Sequence, residues 1–243
     1  MELRVEADAV AVAGWVAVRL LEGCRGSRPL GLATGRTMEP VYGALAGRWA
    51  ALPDGERAAL RQGWQSFNLD EYVGLPPGDG RSFRACMHRQ LAAPLALDPA
   101  RLKLPDGAAA DPAAEAARYG AELAAAGGMG LQLLGLGLNG HVGFNEPPCG
   151  PEARCRCLVL SASTRRQNAG AFGGDPAAVP QRAITLGLAD ILEADEILLV
   201  VTGPAKAGIL RRVLEEPPNL GLPASWLQGH PAVTVIADRA AAP

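Results

Sequence analysis

Short apolar runs alternate along the chain with longer stretches whose apolar residues return at helical spacing. The runs "LRVEA" (3–7), "PLGLAT" (29–34), "GWQSFNLDEY" (63–72), "LQLLGLG" (131–137), "EILLVV" (196–201) and "AVTVIAD" (232–238) read as strands. Between them, residues 8–24, about 38–49, 82–95, 111–128 and 206–216 carry the helical pattern. Asp8 is placed to cap the first of these helices, and Asp111 followed by Pro112 supplies a cap and first turn for another. The run at 131–137 has no polar face, as a strand buried on both sides would. A weaker strand candidate, "CRCLVLS" (155–161), precedes a poorly patterned stretch at 161–182. Strands separated by helices predict a parallel sheet covered by helices. A single α/β domain over residues 1–243 accounts for the pattern, with no internal repeat and no long linker.

Ligands of open parallel sheets bind beyond the carboxyl ends of the strands. Four unusual segments fall at such ends: "TGRT" (34–37), "NLDEY" (68–72), "NGHVGFNEP" (139–147) and "TGPAK" (202–206). In "TGRT", a glycine between hydroxyls precedes a helix, so backbone amides and the helix N-terminus can face an anion. Arg36 would add a bidentate donor; the same residues also fit a plain turn with a solvated arginine. The G-K-[ST] ending of a Walker A loop is missing. In "TGPAK", Lys206 opens a helix, against the preference for acids there. Lys103 and Lys206 are the only lysines in an arginine-rich chain, which points to a task for Lys206 such as neutralising a phosphate.

Asp70 and Glu71 are neighbours on a strand, so only one faces a given ligand. Either could act as a general base or cap the segment that follows. Gly135, Gly137 and Gly140 spell G-x-G-x-x-G, but a dinucleotide fingerprint needs a helix to open there, and Pro147-Pro148 forbids one of useful length. The glycines instead permit tight turns and close approach of a ligand. His141, beside Asn139 and Glu146, is then a proton carrier in a loop beyond a buried strand.

Composition narrows the partners. A formal net charge of −2 without a dense basic run disfavours nucleic acid and anionic membranes. No apolar run is long enough to span a membrane, and the start of the chain lacks a secretory apolar region. Five cysteines without C-x-x-C spacing read as reduced thiols of a cytoplasmic protein. Cys149, Cys155 and Cys157 near His141 match no common zinc spacing, and incidental thiols account for them.

The segments "TGRT", "SFNLDEYVGL", "LGLGLNGHVGFNEP", "AITLGLADIL", "VTGPAKA" and "PASWLQGHPAVTVIAD" together resemble the glucosamine-6-phosphate deaminase and galactosamine-6-phosphate isomerase family over nearly the whole chain. The resemblance implies a Rossmann-like α/β fold, a mostly parallel sheet with helices on both faces. It also implies conversion of a 2-amino-2-deoxyhexose 6-phosphate to the ketohexose 6-phosphate and ammonia, with no metal and no organic cofactor. Carried over by position, Asp70 matches the base that moves a proton between C2 and C1, through a cis-enediol-type intermediate. His141 matches the group that opens the pyranose ring and Glu146 its carboxylate partner. Thr34, Gly35, Thr37 and Lys206 match the phosphate-binding positions.

Three departures accompany the match. Asn139 stands where many members carry aspartate, so His141 is expected to be less basic. Gly170 takes the place of an arginine in the mobile lid, and Arg36, where glycine is usual, is a candidate replacement for that phosphate contact. Of the basic pair that contacts an allosteric effector in hexameric members, Arg156 is present and Leu158 replaces its partner, so a monomer or homodimer without that regulation is expected. A 6-phosphogluconolactonase-like hydrolase and a non-catalytic sugar-phosphate sensor are the rivals. The first lacks "NGHVGFNEP" and "LDEY"; the presence of Asp70, His141 and Glu146 together argues against the second. The C4 configuration of the sugar stays open at this point.

Overall fold

Residues 1–76 and 78–243 are described by the computed structural model. The chain begins with β1 (Glu2–Glu6), α1 (Ala9–Gly23), β2 (Leu30–Leu32), α2 (Glu39–Ala50), α3 (Asp54–Gly63), β3 (Ser66–Asn68) and β4 (Asp70–Val73). A helical stretch follows as α4 (Phe83–Met87), a π turn (His88–Ala92) and α5 (Ala93–Leu95). Next come β5 (Leu102–Lys103), α6 (Pro112–Ala125), β6 (Leu131–Gly135), β7 (Arg156–Val159), α7 (Ala162–Asn168) and β8 (Arg182–Thr185). The chain closes with α8 (Leu188–Leu192), β9 (Glu196–Val201), α9 (Ala207–Glu215) and β10 (Val233–Asp238).

Among the described residues the central sheet has seven strands in the order β1-β10-β9-β6-β2-β3-β5, with parallel pairing throughout. From β2 the chain builds outward through β3 to β5, and from β6 it builds the opposite way through β9 to β10. The switch point therefore lies between β2 and β6, where this kind of sheet opens its crevice. Helices cover both faces. Ser66 accepts a hydrogen bond from Trp64, which packs edge-on against Trp49 of α2. Phe67, on the opposite face, packs against Tyr119 of α6.

The expected caps are present. Asp8 accepts from the Ala11 amide at 2.8 Å, and Asp111 accepts from the amides of Ala113 and Ala114. Helix α1 buries Val12, Ala13, Val16, Ala17 and Leu20 against the sheet and α2. Burying each of the larger of these side chains stabilises the fold by about 1.5–3 kcal/mol. No helix among the described residues is long and apolar enough to cross a membrane.

The sequence pattern at 63–72 predicts one strand, and the structure makes two. Leu69 leaves the central sheet, its amide bonding the Leu32 carbonyl at 2.8 Å, and its own carbonyl accepts from Leu186. From Asp70 onward the chain runs antiparallel to β8, in a separate three-stranded sheet of order β4-β8-β7. The stretch at 161–182 contains α7 and a 3-10 turn, Ala169–Phe172. Both features lie beside the carboxyl end of the main sheet and shape what sits there.

Candidate active site

The four segments singled out in the sequence follow β2, β3, β6 and β9, which are neighbours in the order β9-β6-β2-β3. Sheet order alone therefore gathers them at one edge of the switch point.

Residues 34–37 form a tight loop between β2 and α2. Gly35 has φ +115°, a backbone conformation open to glycine, and its carbonyl accepts from the Met38 amide at 2.9 Å. Tyr42 anchors the loop from below by donating to the Ala33 carbonyl at 2.6 Å. No side chain caps α2, so its first free amides face the same space as the loop. Across from it, Gly203 (φ +89°) turns the chain into a 3-10 turn that ends at Lys206. Both carboxylate oxygens of Asp238, at the end of β10, hold the Gly203 amide, at 3.1 and 3.0 Å.

Lys206 reaches back to donate to the Leu136 carbonyl at 2.6 Å. Burial lowers its pKa, and the nearby charge of Arg36 lowers it further. No carboxylate offsets either cation among the described residues. Two neighbouring cations beside the loop amides, with no counter-charge among the described residues, can hold a dianion.

His141 occupies the loop after β6. Its ring lies flat over Gly137, where a β-carbon would collide with the imidazole. The loop closes through Gly137 N–H to the His141 carbonyl, 2.9 Å, and Gly140 N–H to the Gly137 carbonyl, 3.0 Å. Nδ1 lies 2.5 Å from Oδ1 of Asn139. An amide oxygen only accepts, so Nδ1 carries the proton and Nε2 keeps its lone pair. Burial pushes the His141 pKa down to about 4; the Glu146 carboxylate opposes this and Lys206 reinforces it. The ring is therefore neutral over the physiological range.

Glu146 is expected as the carboxylate partner of His141. Its charge reaches His141 through space, but its hydrogen bonds come from the Ser161 amide (2.9 Å), the Ser161 hydroxyl (2.5 Å) and the Thr164 hydroxyl (2.5 Å). Burial raises its pKa, and these donors together with His141 bring it below the usual carboxylate value. Glu146 thus couples the histidine loop to the first turn of α7. Ser161 caps that helix through the Thr164 amide, an S-x-x-T signal readable in the sequence but not used.

Asp70 begins β4 opposite Thr185 of β8. It is 5% exposed, and among the described residues nothing donates a hydrogen bond to its carboxylate. Burial, and then the charge of Glu71, raise its pKa to about 8. Above it lies Gly143, φ +58°, where a β-carbon would sit 3.5 Å from Asp70 Oδ2 and 3.1 Å from Thr185 Oγ1. Thr185 Oγ1 also accepts from the Phe144 amide at 3.3 Å, and the Asn145 side chain donates to the Leu186 carbonyl at 2.9 Å. These contacts hold the histidine loop over Asp70. Sequence reasoning left out Thr185, Ser161, Thr164 and Asp238.

The dinucleotide alternative fails structurally as the prolines require: no helix lies between β6 and α7. Among the described residues no three His, Cys, Asp or Glu side chains, Cys149, Cys155, Cys157 and His141 included, form a group that could hold a metal ion. Arg156 donates to Cys149 Sγ at 3.5 Å and to the Arg154 carbonyl at 3.1 Å, and Leu158 adds no charge beside it.

The chain is similar to known proteins over nearly its whole length. The family model for glucosamine-6-phosphate isomerases/6-phosphogluconolactonase matches residues 6–236. A glucosamine-6-phosphate deaminase of Pseudarthrobacter chlorophenolicus is 45% identical over 213 residues, 88% of this chain and 80% of the relative. One from Streptomyces avermitilis is 41% identical over 246 residues, covering all of this chain and 92% of the relative. A solved monomeric glucosamine-6-phosphate deaminase superposes with a TM-score of 0.92 at 33% identity, over 99% of this chain and 98% of that one. The 6-phosphogluconolactonase of Leishmania guyanensis shares the fold, with a TM-score of 0.74 at 20% identity, over 99% of this chain and 97% of that one. With a family model spanning nearly its whole length and relatives this similar, the chain belongs to the glucosamine-6-phosphate isomerase/6-phosphogluconolactonase family.

Proposed function

We propose that the chain is an amino-sugar-phosphate deaminase that converts glucosamine 6-phosphate and water to fructose 6-phosphate and ammonia. The carrying observation is the buried Asp70 carboxyl, without a hydrogen-bond donor among the described residues, on the same sheet edge as Lys206 and Arg36, which no described carboxylate pairs. A base and an anion receptor in this relation fit a sugar phosphate whose reactive carbons lie away from its phosphate. The names of the relatives at 45% and 41% identity favour the gluco epimer over the galacto epimer.

The 6-phosphate occupies the loop of Thr34, Gly35, Arg36 and Thr37, facing Lys206. Nε2 of neutral His141 accepts the proton of the C1 hydroxyl and returns one to the ring oxygen, which opens the pyranose. Asn139 keeps Nδ1 protonated through this exchange, and the Glu146 carboxylate stabilises the imidazolium that forms transiently. Asp70, once ionised, takes the proton from C2, and the electron pair moves to C1–C2 as the carbonyl oxygen takes a proton from the substrate's own ammonium group. Asp70 then delivers the proton to C1, leaving an imine at C2. Water adds at C2 and ammonia departs, leaving the ketose. A base whose pKa is held near the working pH is suited to both halves of the transfer.

The half-present basic pair, Arg156 without a partner at Leu158, supports a form without effector regulation. The likeness to a deaminase described as monomeric supports a monomer. The test is direct: purified protein incubated with glucosamine 6-phosphate or galactosamine 6-phosphate, without added metal, is assayed for ammonia. Release from the gluco epimer at the higher kcat/KM is expected. Binding of sugar phosphates without ammonia from either would replace this reading with that of a sensor.

A further inference from the structure

Glu71 stands beside Asp70 on β4 and is buried as deeply, 3% against 5% exposed. Neighbours on a strand leave on opposite faces, so Glu71 does not enter the space above Asp70. Its carboxylate accepts from three backbone amides: Tyr72 at 2.8 Å, Phe83 at 2.9 Å and Arg84 at 2.8 Å. Burial raises the Glu71 pKa, while the three amides and the Arg84 guanidinium pull it back. Among the described residues Asp70 has none of this support, and burial and the charge of Glu71 both act against its ionisation. Of the pair, Glu71 therefore ionises first, and Asp70 loses its proton against a charge already in place.

The other titratable groups around Asp70 do not take over this task. Tyr42 from α2, Tyr119 from α6 and Tyr72 from β4 all feel the Asp70 charge, and burial holds each phenol protonated. Burial likewise keeps the Cys86 thiol of α4 neutral. Thr185, from β8, carries no charge.

The three amide bonds also do mechanical work. Two of them fix the start of α4, whose Phe83 ring stacks on Phe144 with centroids 5.9 Å apart and planes 12° from parallel. Phe144 follows Gly143, the residue that covers Asp70.

We infer that Glu71 is a positioning residue for proton transfer at Asp70: it keeps a fixed negative charge behind the base and anchors α4 under the aromatic stack that holds the covering loop. This inference rests on the deaminase reading for its kinetic test, but not for its spectroscopic one.

The kinetic test measures kcat/KM for glucosamine 6-phosphate against pH in the natural protein, Glu71→Gln and Glu71→Asp. Glu71→Gln is expected to move the acid limb about one pH unit lower, as loss of a neighbouring like charge requires. Glu71→Asp, which keeps the charge, leaves the limb in place even where kcat falls. An unmoved limb in Glu71→Gln, or equal shifts in both variants, would overturn the inference. The second test needs no variant and no turnover: carboxyl carbon NMR follows Asp70 and Glu71 in the natural protein as pH is lowered. Glu71 is expected to stay ionised while Asp70 takes up its proton. A Glu71 that titrates with or before Asp70 on this descent overturns the inference even if Glu71→Gln does not fold. A natural protein that releases no ammonia removes the deaminase reading alone, since the titration still decides this one.

Discussion

Nδ1 of His141 and Oδ1 of Asn139 lie 2.5 Å apart, and this contact selects the ring tautomer that leaves Nε2 free toward the site. Asparagine does so without adding charge. Burial then holds the ring neutral down to about pH 4. Replacing Asn139 with aspartate keeps the acceptor and adds a negative charge beside the ring, so the histidine pKa rises. The expected outcome is an imidazole that protonates closer to neutrality, with ring opening lost at a correspondingly higher pH. Nitrogen NMR of the imidazole against pH, beside the pH dependence of kcat, measures both. An unchanged ring titration in Asn139→Asp would detach Asn139 from His141.

A second expectation concerns the floor beneath the same ring. Gly137 does not need glycine for its own backbone angles, yet any β-carbon there meets the His141 imidazole. Gly137→Ala should therefore fold and displace the ring, because the loop bond from the Gly137 amide to the His141 carbonyl is kept. A misplacement of about 1 Å at a catalytic group costs on the order of a hundredfold in rate. We expect kcat to fall by about that factor while KM for the sugar phosphate, set by the loop at 34–37 and Lys206, stays within about twofold. Equal loss in KM would mean that the glycine shapes the phosphate site as well.

How much of this was legible beforehand follows from which interactions are local. The parallel sheet, the caps at Asp8 and Asp111, and the strand ends bearing Thr34, Asp70, His141 and Lys206 all rest on short-range patterns. Those patterns survive in one dimension. The break at Leu69 was not legible, since a continuous strand pattern does not tell which sheet its second half joins. That break decides where Asp70 and Glu71 point: β4 turns one toward the covering loop and the other toward α4. The hydrogen-bond partners of Glu146 were out of view for a related reason. Its partners, Ser161 and Thr164, belong to a helix start in a stretch whose periodicity is weak. Thr185 and Asp238 act only through contacts made by strand pairing or across distant loops, and their neighbours in sequence carry no sign of it.

Asp70 also leaves a mark on stability. Its carboxyl binds a proton more tightly in the folded chain, with a pKa raised from 3.8 to about 8. Below the unfolded value both states hold the proton and the group is neutral to folding. As pH rises from about 4 to about 8, the unfolded chain gives up its proton and the folded one does not, so stability falls progressively and stays reduced above the folded value. Asp70→Asn removes this penalty, on the order of a few kcal/mol when fully developed. The variant should match the natural protein in thermal midpoint near pH 4 and exceed it increasingly toward pH 8, with turnover abolished and fructose 6-phosphate still bound. A midpoint difference independent of pH would show that Asp70 is not the group being titrated.

Lys206 feels the charge of Arg36 and, among the described residues, of no carboxylate, so repulsion raises the cost of the Lys206 charge before substrate binds. A dianion placed between them removes that repulsion and adds charge-assisted hydrogen bonds, each worth about 1.5–3 kcal/mol. Lys206 is half-buried and tied to the Leu136 carbonyl at the end of β6, so its position is set before substrate arrives. Arg36 is exposed on the loop and contributes more through charge than through a fixed contact. Lys206→Met should therefore weaken fructose 6-phosphate binding by roughly 10- to 100-fold at any salt concentration. Arg36→Gly should weaken it by roughly tenfold at low salt and by less as ionic strength rises, because an exposed charge is screened. Calorimetric titrations of both variants at low and high salt separate the two. If Arg36→Gly binds as tightly as the natural protein at low salt, Arg36 plays no part in holding the phosphate, and Lys206 acts with the loop amides alone.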